Sequence, residues 1–135
     1  MGNTANKILF VDDDMFLLAA VQRNLRKRFA VDTATGGAAA LDVLSRQGPY
    51  AVVVADLGMP GMTGAELLRV CRERFPDTVR IMLTGDTEQE EARVAADQAG
   101  LFRVLSKPCP ADVLIGALED GVRQHGLTAT QRPAS

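Results

Sequence analysis

Six residues of this sequence combine a reactive type with a position directly after an apolar run: Asp12, Asp13 and Asp14 in an unbroken run, then Asp56, Thr84 and Lys107. Carboxylates gathered at one point repel one another and are costly unless a cation intervenes, and ligation by oxygen alone favours a hard ion such as Mg²⁺. A carboxylate is also a competent phosphoryl acceptor. A lysine and a hydroxyl on the far side can hold the transferred oxygens as charge redistributes. Brought together, these groups are the inventory of an aspartyl-phosphate site.

Whether they meet depends on the elements that carry them. Four short apolar runs, Ile8-Leu9-Phe10-Val11, Val52-Val53-Val54-Ala55, Ile81-Met82-Leu83 and Val104-Leu105, lack polar alternation and suit strands buried on both faces of a parallel sheet. Helical spacing lies between them, in Leu18, Val21, Leu25 and Phe29; Ala38, Leu41 and Leu44; Leu67, Val70 and Cys71; Ala92, Ala95, Ala96 and Ala99; and Leu114, Ala117, Leu118 and Val122. A weaker strand over residues 30–34 completes five β-α units in alternation. Gly48-Pro49, Pro76-Asp77 and Gly100 supply the stops of the second, third and fourth helices.

In such a sheet the loops at the carboxyl ends of the strands meet in a crevice where ligands bind. Asp12, Asp13 and Asp14 follow the first strand, Asp56 the third, Thr84 the fourth and Lys107 the fifth. Each has a plain alternative. Asp13 or Asp14 could N-cap the first helix, Asp56 could stabilise the turn through Gly58, Pro60 and Gly61, Thr84 could cap the helix after Gly85, and Lys107 could be a solvated charge. Their convergence on one end of one sheet argues against four separate coincidences.

The chain as a whole sets limits. Its 135 residues suit one domain, and 47% hydrophobic with 24% charged residues is the composition of a folded protein. A net charge of −2 offers no basic field for unaided nucleic-acid binding. No apolar run approaches a membrane span and residues 1–7 lack the core of a signal peptide, so a cytoplasmic protein with no membrane partner is expected. Cys71 and Cys109 have no metal-like spacing and read as packing residues. From Gly126 to Ser135 the chain turns polar without periodicity, so the domain is expected to occupy residues 1–125, with residues 126–135 a flexible tail or the start of a linker.

The segments Ile8-Leu9-Phe10-Val11-Asp12-Asp13-Asp14, Asp56-Leu57-Gly58-Met59-Pro60-Gly61-Met62-Thr63-Gly64, Leu83-Thr84-Gly85 and Ser106-Lys107-Pro108 resemble, in order and separation, the receiver domains of two-component response regulators. The likeness covers residues 7–123. It implies an α/β, flavodoxin-like doubly wound sheet of five parallel strands, order 2-1-3-4-5, with five helices. It also implies that Asp56 accepts a phosphoryl group from a partner histidine kinase or phosphotransfer protein, and that the chain acts as a switch whose only catalysis is its own phosphorylation and dephosphorylation. By the same resemblance Asp12, Asp13, Asp56 and the Gly58 carbonyl hold Mg²⁺, Lys107 and Thr84 bind phosphoryl oxygens, and Asp14 supports the ion-binding acids. Dimerisation or docking of a downstream effector would use the last two helices and the fifth strand.

The chain departs from the family at several positions. Val104 stands three residues before Lys107, where an aromatic normally turns as the switch; Phe102 is out of register and reads as core or interaction surface. Gly85 replaces a frequent Ala, and Cys109 a frequent aromatic. His125 is expected at the end of the last helix, as a dipole partner. Three other readings compete. Asp12-x-Asp14 superficially fits the opening motif of haloacid-dehalogenase-like phosphatases, but Met15-Phe16 replaces the small or β-branched residue expected after it, and there is little room for a substrate cap. A flavin module of the same topology would not place three aspartates against an anion. A receiver-like scaffold that is never phosphorylated would be expected to have lost an acid or the lysine.

Overall fold

Val- and Ile-rich segments that cannot be wetted on either face pair with one another, and in this chain five of them form one sheet. The computed structural model of the protein describes residues 6–131. Its elements are β1 (Lys7–Val11), α1 (Met15–Leu25), β2 (Ala30–Ala34), α2 (Gly37–Gln47), β3 (Val52–Asp56), α3 (Gly64–Arg74), β4 (Val79–Thr84), α4 (Gln89–Ala99), β5 (Arg103–Ser106) and α5 (Ala111–Gln131). The strands lie in the order β2-β1-β3-β4-β5 and every pairing is parallel, as expected.

Two cores flank the sheet. On one face Leu9, Val53, Leu67, Leu68 and Cys71 pack with the small residues of α4. On the other, Ile8, Phe10, Leu18, Leu25, Ile81 and Leu118 join α1 and α5 to the sheet. β3 is buried at all five positions, which explains its unbroken apolar run. Burying a side chain of the size of Leu67 or Leu118 contributes roughly 1.5–3 kcal/mol.

The structure changes several local expectations. β5 is an edge strand, and only Leu105 is buried there; Val104 stays 38% exposed, facing an open groove along α4 floored by Ala92 and Ala96 and flanked by Gln89 and Arg93. The buried face of α2 is Gly37, Ala40 and Leu44, with Ala38 exposed, so the expected stripe is one residue out of register at its start. α1 ends at Leu25, and Phe29 reaches the core from the following turn. α5 does not stop near residue 125: it continues across Gly126 to Gln131, since a mid-helix glycine costs only about 1 kcal/mol. The expected tail is therefore helical at its start, and residues 132–135 lie outside the described residues. His125 accordingly lies within the helix, its Nδ1 2.8 Å from Asp77 O.

The sheet positions the acids through register. β1 pairs with β3 so that Val11 faces Ala55, which brings the next residues, Asp12 and Asp56, side by side at the carboxyl edge. Leu57 N donates to Leu83 O at 2.9 Å and Lys107 N to Thr84 O at 2.8 Å, carrying the same alignment across β4 and β5. Gly64 fixes the return of the chain after Asp56. Its N donates to Leu57 O, and a Cβ on it would stand 2.2 Å from the Asp56 carbonyl oxygen. Gly64→Ala is therefore expected to lower stability by about 1–3 kcal/mol, read as a lower urea midpoint, because backbone rather than a flexible side chain must yield.

Candidate functional site

Asp12 is 1% exposed and Asp56 6% exposed, at the carboxyl ends of the adjacent strands β1 and β3. Asp13 is exposed at the mouth of the crevice. One carboxylate oxygen from each of Asp12, Asp13 and Asp56 lies within 4.8 Å of the others. Lys107 closes the cluster from the end of β5: its Nζ is 3.1 Å from Asp12 Oδ2 and 3.1 Å from Asp56 Oδ2. The lysine thus supplies the positive charge that two buried carboxylates require.

Asp12 is held in place by Asp14 N, which donates to Asp12 Oδ1 at 2.9 Å. Its other oxygen is buried and receives no well-angled hydrogen bond, only the ionic contact with Lys107. Burial pushes the Asp12 carboxyl above the usual carboxylate range, and the charge of Asp56 adds to this; the Asp14 amide and Lys107 oppose it. For Lys107 burial alone would lower the pKa, but the carboxylates of Asp12 and Asp56 more than offset it, and the ammonium is stabilised.

Asp14 turns away from the cluster and caps α1, its Oδ1 accepting from Phe16 N at 3.0 Å and Leu17 N at 3.2 Å. The capping alternative thus describes Asp14, which aids Asp12 through its backbone amide. Thr84 is buried at the end of β4, where its Oγ1 accepts a bond from Gln89 Nε2 at 3.3 Å. Gly58 is exposed two residues beyond Asp56. After it, Thr63 and Glu66 form a reciprocal capping box that starts α3.

The donors fit a hard divalent cation on the structure's own terms. Three carboxylates from two adjacent strand ends converge without sulfur or imidazole, and one buried oxygen among them lacks a hydrogen bond. Two neighbouring residues were not legible as part of this region. Gln89 touches the Thr84 hydroxyl, and Glu88 reaches back over Gly58. In sequence both are ordinary polar residues at a helix start, and no spacing rule singles them out.

Phe102 lies before β5, packed against the second core with the Arg103 guanidinium 4.9 Å from its ring centroid, as the core reading anticipated. Cys71 is buried, its thiol pushed up to about 12 by desolvation, and Cys109 is half-buried beside Pro108 and also raised by burial. Neither has the depressed pKa of a reactive thiol.

The family model described as "Response regulator receiver domain" matches residues 8–119. The hydrogenase transcriptional regulatory protein HoxA of Cupriavidus necator is 35% identical over 127 residues, 94% of this chain and 26% of that protein. The chain therefore spans about a quarter of that relative's length. Among solved structures, a response regulator receiver domain protein from Clostridium thermocellum superposes with a TM-score of 0.85 at 28% identity, covering 90% of this chain and 98% of its own. A structure of adenylate cyclase from Rhodopirellula baltica superposes with a TM-score of 0.90 at 36% identity, covering 93% of each chain.

Proposed function

The chain belongs to the response regulator receiver family, and from that premise we propose that Asp56 is the phospho-acceptor of a Mg²⁺-dependent switch charged by a histidine kinase or phosphotransfer protein. One observation carries the reading: Asp12, Asp13 and Asp56 converge within 4.8 Å, with Lys107 Nζ 3.1 Å from both buried acids. Asp12, Asp13, Asp56 and the Gly58 carbonyl would hold the cation. When bound, Mg²⁺ neutralises charge on the oxygens of the transferring phosphoryl group.

The remaining roles fall to the protein's own groups. An Asp56 carboxylate oxygen is the nucleophile. Lys107 is already paired with it, and follows the charge onto a phosphoryl oxygen as that group arrives. The Thr84 hydroxyl, buried at the neighbouring strand end, donates to another oxygen by leaving Gln89. Catalysis is confined to the chain's own phosphorylation and dephosphorylation, which distinguishes it from a phosphatase with an external substrate.

Movement of Thr84 would signal outward through α4, β5 and α5. Val104 is aliphatic and partly exposed there, so the message would pass through the loop after β4 and not through an aromatic rotation at that position. We assign residues 1–125 to the receiver unit and read the segment beyond residue 125, helical to Gln131, as a connector, in keeping with much longer relatives. The downstream partner would then be an effector or further domain, with no direct nucleic-acid contact from this segment. Among the described residues no helix is long and apolar enough to cross a membrane.

With acetyl phosphate and Mg²⁺ the wild-type protein is expected to gain one phosphoryl group by intact-mass spectrometry. The absence of any adduct, together with no spectral response to beryllofluoride, would overturn the assignment.

A further inference from the structure

Gly58 has no side chain, and another residue's carboxylate occupies the space beside it. A Cβ built there would stand 2.7 Å from Glu88 Oε2 and 3.6 Å from Glu88 Cδ. Glu88 holds this place through its other oxygen: Oε1 accepts from Gly85 N at 2.8 Å, while Glu88 N donates to Gly85 O at 3.2 Å. A half-buried carboxylate therefore lies between the loop after β3 and the loop after β4, against the residue two positions beyond Asp56. The cation site does not call for it, since Asp12, Asp13 and Asp56 already supply three carboxylates. A phosphoryl donor is an anion as well, so a fourth carboxylate at the rim opposes its entry.

We propose that Glu88 is a specificity-determining residue of the phospho-acceptor site, an anionic gate that disfavours small free dianionic donors relative to a phosphoryl group presented by a docked protein. The inference rests on the phospho-acceptor reading of Asp56. In a crevice with low-dielectric walls, like charges act on approach more strongly than in open water. A docked protein offsets that repulsion with binding energy from contacts remote from the reacting atoms, and a donor such as acetyl phosphate has no remote part. The transfer itself is unchanged. A bond forms from an Asp56 carboxylate oxygen to phosphorus, the phosphorus–oxygen bond to the acetyl group breaks, and acetate leaves with the electron pair.

Glu88→Gln keeps an oxygen able to accept from Gly85 N and removes the charge. Its phosphorylation by the acetyl phosphate dianion is expected to be about tenfold faster than that of the wild type, with a smaller gain for the phosphoramidate monoanion. The ratio of the two rates therefore rises. Added KCl at constant Mg²⁺ should speed the wild type with acetyl phosphate more than it speeds the variant.

Gly58→Ala is the independent variant. Among the described residues the positive-φ glycines are Gly61 and Gly100, so alanine fits the backbone at 58, and its Cβ displaces the flexible end of Glu88. It is expected to raise the same ratio, and Glu88→Gln should add little to it. An unchanged donor ratio in Glu88→Gln, with the wild type still modified on Asp56, overturns the gate and leaves the phospho-acceptor reading standing. No adduct on the wild type with either donor overturns that reading, and the gate with it.

Discussion

Asp56→Asn is expected to take up no phosphoryl group from acetyl phosphate and Mg²⁺ under conditions in which the wild type gains one, a complete loss by intact-mass spectrometry. The amide nearly preserves the shape of the side chain, and Asp56 ends a strand whose five positions are all buried, so the fold should persist. What disappears is the nucleophile. An amide oxygen carries no full negative charge, and Lys107 would retain only Asp12 as an anionic partner. Asp12→Asn is expected instead to slow uptake by weakening cation binding, since the acceptor remains. Were Asp12→Asn silent towards acetyl phosphate at every Mg²⁺ concentration, the metal role of Asp12 would be lost. Abolition of turnover of an external phosphate ester by Asp12→Asn, with Asp56→Asn unaffected, would restore the phosphatase reading.

The second large effect concerns stability. Asp12 is buried with its carboxyl pKa raised, chiefly by desolvation, so the folded state binds that proton more tightly than the unfolded chain does. Stability contributed by the protonated form is present at low pH and lost as pH rises through the folded pKa. At neutral pH, without Mg²⁺, Asp12→Asn is therefore expected to be more stable than the wild type by about 1 kcal/mol, the difference shrinking as pH falls through that range. Added Mg²⁺ reverses the order. A cation bound only by the folded state contributes about 2.7 kcal/mol at one hundred times its dissociation constant, and the variant should lose most of this. Urea titrations of both proteins with and without Mg²⁺ at two pH values give the four differences between them. Equal stabilisation of both proteins by Mg²⁺ would remove Asp12 from the site.

These effects trace back to residues whose types and convergence were plain in the sequence but whose contacts and burial were not. The runs around Ile8, Val52 and Ile81 identify buried strands because only a sheet covered on both faces tolerates such stretches without alternation. Gly100, in the left-handed conformation at φ 60°, ends α4 where a glycine signalled a stop. Less could be read where coverage depends on a neighbour. Val104 belongs to an apolar pair, yet it is partly exposed because β5 lies at the sheet edge, beside small residues of α4. Periodicity identifies the apolar side chains of a segment; which of them are buried depends on the element packed against it.

The sequence by itself determined the chemical inventory, a parallel α/β alternation, and the placement of Asp12, Asp56, Thr84 and Lys107 at the carboxyl ends of strands, because each of these depends on local residue order. Only the tertiary structure decided the β1–β3 register that sets Asp12 next to Asp56, with Lys107 between their carboxylates. It also separated the three consecutive aspartates into a buried acid, an exposed acid and a helix cap, and brought Glu88 over Gly58 from thirty residues away. The reason is the same in each case: a local pattern restricts which face a strand buries, and contacts between segments distant in the chain then select the register and the loop packing.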